Sequence, residues 1–480
     1  MEFTKGCVKT KSAGRLNRPA TKRTIMKDKV FVLYGYSSGT DGTYFSGTRL
    51  FTQNKDFRTA EQYTYYRECG LNTLLLEGND PYYGETWATS QTKKNMDTAY
   101  AAGINRIIVY DKRIFDCSEV RGGLIGEGKR FATEKDLEDF IACCIKDYKN
   151  HPAFYGFMLV DEPRWFQIEA LSQVVKAARK VAPDIFIQNN ILPFYPGHGS
   201  LFVENYDGTT IDDEAVAYKK YVETYLDMTG MPYLMFDSYP MRLEPEAGYF
   251  IRREHLQGFQ IAAAEVRKRN LNFYFVCQTQ AFYAHDKIVY RAPNEAEMLW
   301  QINCALAFGV KSLGYFTYWR KQRNSDLEYF VDGTSFMTQN GEKTPLYFSM
   351  QKIHSALSGI SDYLLDLRYE ESGYYTDLPV TESHIEPMDK GDTGRLADIK
   401  GDGKTSLVVT LLHNAVTDEK VLCLFNANDP RGRFGEPCEI SVNVKFGKTV
   451  RAFSLKRPAG EPIDGKYSLC AGDAVFLIVK

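Results

Sequence analysis

From Val30 to about Trp319 the chain alternates short apolar runs with stretches of helical periodicity, and Gly, Pro or polar clusters close each run. Short apolar runs between turn signals read as buried strands, and apolar residues at three- and four-residue spacing read as amphipathic helices. The pattern predicts strands at Val30–Tyr36, Asn72–Glu77, Arg106–Asp111, Phe154–Val160, Asp184–Asn190, Tyr233–Asp237, Asn272–Gln278 and Ser312–Tyr318. Between them it predicts helices at Arg58–Cys69, Ser90–Ala102, Thr133–Tyr148, Phe166–Val181, Asp213–Met228, Arg253–Arg269 and Asn294–Phe308, with Thr344–Leu364 closing the series. Helix boundaries carry their own signals. Gly70, Gly103, Gly230 and Gly309 follow helices, where a left-handed residue ends the turn. Thr133 and Asp136 stand at capping-box spacing, and Pro345 falls in a first turn, where its missing N–H costs nothing.

Eight strand–helix units in this order predict an α/β fold, a (β/α)₈ barrel over residues 30–366. A doubly wound sheet is the competitor, but it usually has fewer strands and a GxGxxG turn after the first strand, which is absent here. After Leu367 the helical period stops. Alternating runs at Ser406–Leu412, Lys420–Asn426, Cys438–Val444, Thr449–Leu455 and Ala474–Val479 predict a C-terminal antiparallel β-sandwich over 367–480. The first 29 residues are polar and basic. Without an apolar h-region they read as a disordered lead-in, and the chain as cytoplasmic. A start codon farther upstream would instead put an export signal ahead of Met1 and the protein outside the cytoplasm or in the periplasm.

Composition narrows the function classes. Lys and Arg total 59 against 61 Asp and Glu, a balance that gives no support for a nucleic-acid partner. No apolar run reaches the length of a membrane span. The ten cysteines show no CxxC or Cys/His ligand spacing, so they read as buried thiols. The pattern implies neither a metal nor an organic cofactor, and it leaves the oligomeric state open. Thirty-two Tyr and thirty Phe exceed the usual aromatic load; rings at loop tips suit the apolar faces of sugars.

The fourth strand ends in Asp161, Glu162 and Pro163. A carboxylate at the end of a buried strand is costly without a partner or a task, and the carboxyl ends of barrel strands are where chemistry is done. Glycosidic cleavage needs a proton donor and a group that stabilises an oxocarbenium-like centre. Glu162 suits the donor, since a neighbouring anion such as Asp161 raises a carboxyl pKa. The plainer reading makes both acids caps of the next helix. Strand six ends Asp237-Ser238-Tyr239-Pro240, which puts Asp237 and Tyr239 on one face if extended; a turn explains them equally. Gln278 and Gln280 at strand seven, Asn189 at strand five, Trp319 after strand eight, Tyr36 at strand one and Glu77 at strand two complete the candidate sugar contacts. Asp111 is secondary, because Arg113 offers it an ion pair.

Three segments resemble the barrel glycoside hydrolases: Val160–Pro163, Asp237–Pro240 and Ala305–Trp319. The resemblance implies an O-glycosyl hydrolase acting on an oligo- or polysaccharide, with Glu162 as acid/base. Retaining members of the largest barrel clan place a Glu nucleophile on strand seven, where this chain has Gln278 and Gln280. Adjacent Asp-Glu on strand four also resembles substrate-assisted N-acetylhexosaminidases. That analogy implies that Asp161 orients the acetamide of the sugar and Tyr239 bonds its oxygen. Two alternatives stand beside these: a Glu162–Asp237 pair across the barrel mouth, and a non-catalytic carbohydrate-binding protein on a hydrolase scaffold.

Overall fold

The computed structural model describes residues 29–36, 43–46, 49–52, 56–76, 86–195, 197, 202, 211–244, 248–252, 254–284, 288–319, 328–377, 388, 391–431 and 437–480. Eight parallel strands organise the first part: β1 (Val32–Gly35), β2 (Leu74–Leu76), β3 (Ile107–Tyr110), β4 (Phe154–Met158), β5 (Phe186–Gln188), β6 (Tyr233–Ser238), β7 (Asn272–Gln278) and β8 (Ser312–Phe316). They form two four-stranded sheets, β2-β3-β4-β5 and β1-β8-β7-β6. Two seams join the sheets. Ile191, just past β5, donates its N–H to Met235 O of β6 at 2.9 Å. The N–H groups of Asn72 and Thr73 reach Leu33 O of β1 at 3.0 and 3.1 Å.

A helix follows each strand: α1 (Ala60–Glu68), α2 (Gln91–Ala101), α3 (Glu134–Ile145), α4 (Ile168–Val181), α5 (Glu214–Thr229), α6 (Glu254–Arg269), α7 (Glu295–Ala307) and α8 (Pro345–Ser358). Thr59, Ser90, Thr133, Asp213, Asn294 and Thr344 cap six of them by accepting backbone N–H groups. The last helix is shorter than its apolar pattern predicts. It stops at Ser358, and a separate turn of helix runs over Ser361–Asp366. Gly359 falls at the break, where helix propensity is lowest. Gly156 shows why β4 and β5 sit so close. A Cβ there would lie 1.8 Å from Phe186 O, so no other residue fits.

The loops after β6, β7 and β8 carry strands that the sequence pattern did not reveal. Met241–Glu244, Gly248–Ile251, Phe282–Ala284, Ile288–Tyr290 and Glu328–Phe330 form a five-stranded antiparallel sheet. Each is three or four residues long, too short for alternation to stand out.

The C-terminal part is antiparallel: β9 (Leu367–Thr376), β10 (Ala397–Lys400), β11 (Ser406–Asn414), β12 (Lys420–Asn426), β13 (Cys438–Val444), β14 (Thr449–Phe453), β15 (Lys466–Leu469) and β16 (Ala474–Val479). One sheet runs β9-β11-β12-β16-β14 and the other β10-β13-β15. The side-chain period of two sorts the large sheet cleanly. Leu407, Val409 and Leu411 share a core with Ile440 and Val442 of the small sheet. Val408 and Leu412 face the other way and join the main core. At that junction the indole of Trp300 in α7 donates to Ala427 O at 3.2 Å. A buried ion cluster ties the same region, with Arg291 bonded to Glu297 at 2.6 Å and to Asp429 at 2.8 Å. The nine described cysteines are free thiols.

Candidate active site

The polar side chains at the mouth come from the carboxyl ends of β1, β4, β5 and β6. Strand alternation decides which of them meet. Along β5, Gln188 and Asn190 point to the interior, and Asn189 points out. Gln188 donates its amide to Tyr36 Oη, and Tyr36 Oη donates to Asn190 Oδ1 at 2.6 Å. Asn189 instead donates to Tyr225 Oη of α5 at 3.1 Å. Asn189, the expected sugar contact, and its neighbour Asn190 thus face opposite ways, because a one-residue step turns a strand side chain to the opposite face.

Asp237 lies in the same interior column, 3% exposed. Tyr239 Oη donates to its Oδ2 at 2.6 Å, as the shared face of the two residues predicts. The Asn190 amide and the Glu162 carboxyl also face Asp237 and favour its charged form. Oδ1 nonetheless has no partner at hydrogen-bond distance among the described residues. Burial outweighs these contacts and raises the Asp237 pKa above the ordinary carboxylate value. The Asp237–Glu162 encounter is thus a contact between two carboxyls in a desolvated place, an arrangement in which one proton is shared more readily than two charges are held.

Glu162 reaches this position through an unusual backbone. Its φ is +46°, in the left-handed region that non-glycine residues seldom occupy, and it precedes a proline, which further narrows its choices. Such strain is of order 1–3 kcal/mol and clusters at functional sites. Its N–H is fixed on Asn190 O at 3.1 Å, and Tyr221 Oη of α5 holds the carbonyl of Pro163. Glu162 is partly buried, whereas Asp161 is exposed. Neither acid caps the next helix. A short 3-10 turn, Trp165–Gln167, stands between them and α4, and the Gln167 side chain accepts the Arg164 N–H at 2.8 Å.

The other half of the mouth behaves differently. Gln278, fully buried, accepts from Met241 N at 3.0 Å and donates to Met241 O and Arg291 O at 3.2 and 2.8 Å. Gln280 accepts from Thr317 Oγ1 at 2.8 Å and sits 3.5 Å from Val331 O. Trp319 is 2% exposed, its ring packed on Phe57 at 4.3 Å between centroids. Gln278 and Gln280 thus bond within the protein, since the loop strands after β6 to β8 need the amides to satisfy their backbones, whereas the buried indole N–H of Trp319 has no hydrogen-bond partner among the described residues. Glu77 lies outside the described residues. Asp111 has the structural role its neighbour suggested: Arg113 clasps it at 3.0 and 2.6 Å, and Tyr148 adds a bond at 3.0 Å.

Tyr195, on the loop after β5, is a site residue that pattern reading passed over. It is partly buried beside Glu162 and Asp237, whose charges add to desolvation in pushing its phenol pKa up, and Arg252 covers its ring at 4.6 Å. Only its place after a strand tip marked it in the sequence.

Comparison with known proteins fits this architecture. A β-galactosidase from Bacillus circulans sp. alkalophilus superposes over 95% of this chain and 100% of its own, with 10% identity and a TM-score of 0.53. Isoenzyme 2 of the alpha-L-fucosidase from Paenibacillus thiaminolyticus covers 94% and 99%, with 7% identity and a TM-score of 0.50. The chain shares the fold of TIM-barrel glycoside hydrolases. A β-galactosidase from the psychrophilic Marinomonas ef1 also aligns, with 12% identity and a TM-score of 0.43, over 65% of this chain and 60% of that one. No protein-family model matches the sequence, and no curated protein matches it. At these identities the likeness is one of fold, and the chemistry has to be argued from the residues. No helix among the described residues is long and apolar enough to cross a membrane.

Proposed function

We propose that this chain is an O-glycosyl hydrolase in which Glu162 is the general acid/base and Asp237 the second catalytic carboxyl. The supporting scaffold is a (β/α)₈ barrel over 30–366 with a β-sandwich over 367–480. One observation carries the reading: the Glu162 and Asp237 carboxyls face each other at the tips of β4 and β6, with Asp237 desolvated and Tyr239 bonded to it. In the cycle, Glu162 gives its proton to the leaving glycosidic oxygen while the Asp237 carboxylate stabilises the developing oxocarbenium charge. Glu162 then takes a proton from the incoming water.

The substrate-assisted reading has less support. Asp161 is exposed, and the Tyr239 hydroxyl proton is committed to Asp237 rather than available for an acetamide oxygen. The decisive experiment assays the parent and Glu162→Gln on aryl glycosides and oligosaccharides, with and without a 2-acetamido group. Hydrolysis lost in the variant with sugar binding kept supports the proposal. Activity confined to 2-acetamido sugars transfers the role to the substrate. Sugar binding with no turnover in the parent makes the protein a binder and overturns the proposal.

A further inference from the structure

Gln188, the last residue of β5, and Asn190, two residues on, share an interior face with Tyr36 at the end of β1. All three are buried, at 0%, 1% and 4% exposure. The Gln188 amide nitrogen donates to Tyr36 Oη and, at 3.2 Å, to Asn190 Oδ1. Tyr36 Oη gives its one proton to the same Asn190 oxygen at 2.6 Å. Asn190 Oδ1 thus accepts two bonds, the number its two lone pairs can take.

The other end of the Asn190 amide, its NH₂ group, is the end that faces Asp237. A flip of that amide would break both bonds and turn its carbonyl onto a carboxylate, two acceptors with no proton between them. The reverse order of donors would give the Tyr36 proton to Gln188 Oε1, which as it stands has no hydrogen-bond partner among the described residues. A buried carbonyl left unsatisfied costs stability, so the order in place serves Asp237 at the expense of Gln188.

We propose that Gln188, Tyr36 and Asn190 form an ordered relay of donors that keeps the Asn190 N–H aimed at Asp237, which makes Tyr36 and Gln188 positioning residues for that carboxyl. The inference rests on the reading of Asp237 as the second catalytic carboxyl. An N–H aimed at Asp237 favours its charged form, the form that stabilises an oxocarbenium centre, and Tyr239 gives the same help at Oδ2. The titratable groups that face Asp237 among the described residues are Glu162 from the tip of β4, Tyr239 on its own segment, Tyr34 of β1, Tyr195 after β5 and Tyr218 of α5. Asp161, exposed beside Glu162, acts on Tyr34 and Tyr239. Burial raises the four tyrosines, so they stay neutral while the carboxyls titrate.

Tyr36→Phe removes the proton given to Asn190 and keeps the ring; Asn190→Ala removes the donor itself. Each is read by the pH profile of kcat/KM and by melts of the full chain from acidic to neutral pH, with Asp237 present and with Asp237→Asn. Burial holds the Asp237 pKa above its unfolded value, so its stability is full below the unfolded pKa and is lost as pH rises through the native one. Loss of the aimed N–H raises the native value further. The acidic limb of kcat/KM and the pH at which this stability is lost are both expected to move up, by about half to one pH unit. KM should stay within about twofold, because no member of the relay has to touch the sugar, and the shift in the melts should vanish with Asp237→Asn. If Asn190→Ala fails to fold, Tyr36→Phe carries the test. A Tm lowered equally at every pH with both inflections unmoved makes the relay a packing feature and overturns the inference. A KM raised severalfold at an unmoved limb makes Tyr36 a sugar contact and overturns it too. Should the parent hydrolyse no glycoside, the melts still decide: a moved inflection upholds the relay while the hydrolase reading falls.

Discussion

Two groups of parallel-strand ends use the same residue types in opposite ways. At the ends of β4, β5 and β6, polar side chains bond mainly to one another: Tyr36 to Asn190, Tyr239 to Asp237, and Glu162 facing Asp237. At the ends of β7 and β8, Gln278 and Gln280 bond to loop backbone and a threonine. The first half keeps charge and one unsatisfied carboxylate oxygen in a dry place; in the second the two glutamines are bonded within the protein. An amide that already fills its hydrogen-bonding capacity has nothing left for a substrate, whereas a desolvated carboxyl pair holds energy that a substrate can release. The tips of β4 to β6 thus hold the carboxyls, while the tip of β7 supports the loop sheet through Gln278.

The sharpest way to break this contrast is Glu162→Gln. It is expected to lower kcat by roughly 10²–10⁴ with the folded state intact, the usual worth of general acid–base assistance. A fall below tenfold would remove Glu162 from the reaction. Asp237→Asn should also abolish most turnover, yet raise Tm near neutral pH. Burial raises the Asp237 pKa, so the native chain keeps that proton to higher pH than the unfolded chain does. The stability from this group is full below the unfolded carboxyl pKa and disappears as pH rises through the higher native one. The gain from Asn should therefore fade on acidification, and melts at several pH values will reveal whether it does.

Gln278→Leu probes the second half. It leaves Met241 N, Met241 O and Arg291 O without their partner, at about 1–3 kcal/mol for a buried group left unsatisfied. Urea unfolding should register the loss, while kcat/KM of the folded variant changes less than tenfold. The reverse result, lost activity at full stability, would move Gln278 into the reactive half. Tyr239→Phe is the mildest change. Its hydroxyl favours the charged form of Asp237, so its removal should shift the acidic limb of the kcat/KM profile to higher pH and cost activity by about a hydrogen bond, on the order of tenfold. An unmoved limb would detach Tyr239 from Asp237.

Much of the framework was legible because burial and helical periodicity act locally. All eight parallel strands and the helices between them fall where the apolar runs put them, and Thr133 and Asp136 close the box their spacing announced. The short loop strands escaped notice, as did β9, whose charged and polar residues interrupt its apolar ones. The site was half legible. Glu162, Asp237, Tyr239 and Tyr36 come together, but Asn189 and Asn190 were indistinguishable until strand direction was known.

What the sequence determined by itself is the order of elements and the acids at the tips of β4 and β6, because patterning, caps and strand ends are set by neighbours in the chain. Which carboxyls face each other and which amides are consumed were decided only by the tertiary structure. Those facts depend on residues tens to hundreds of positions apart, and on a strand parity that a single residue's shift would invert.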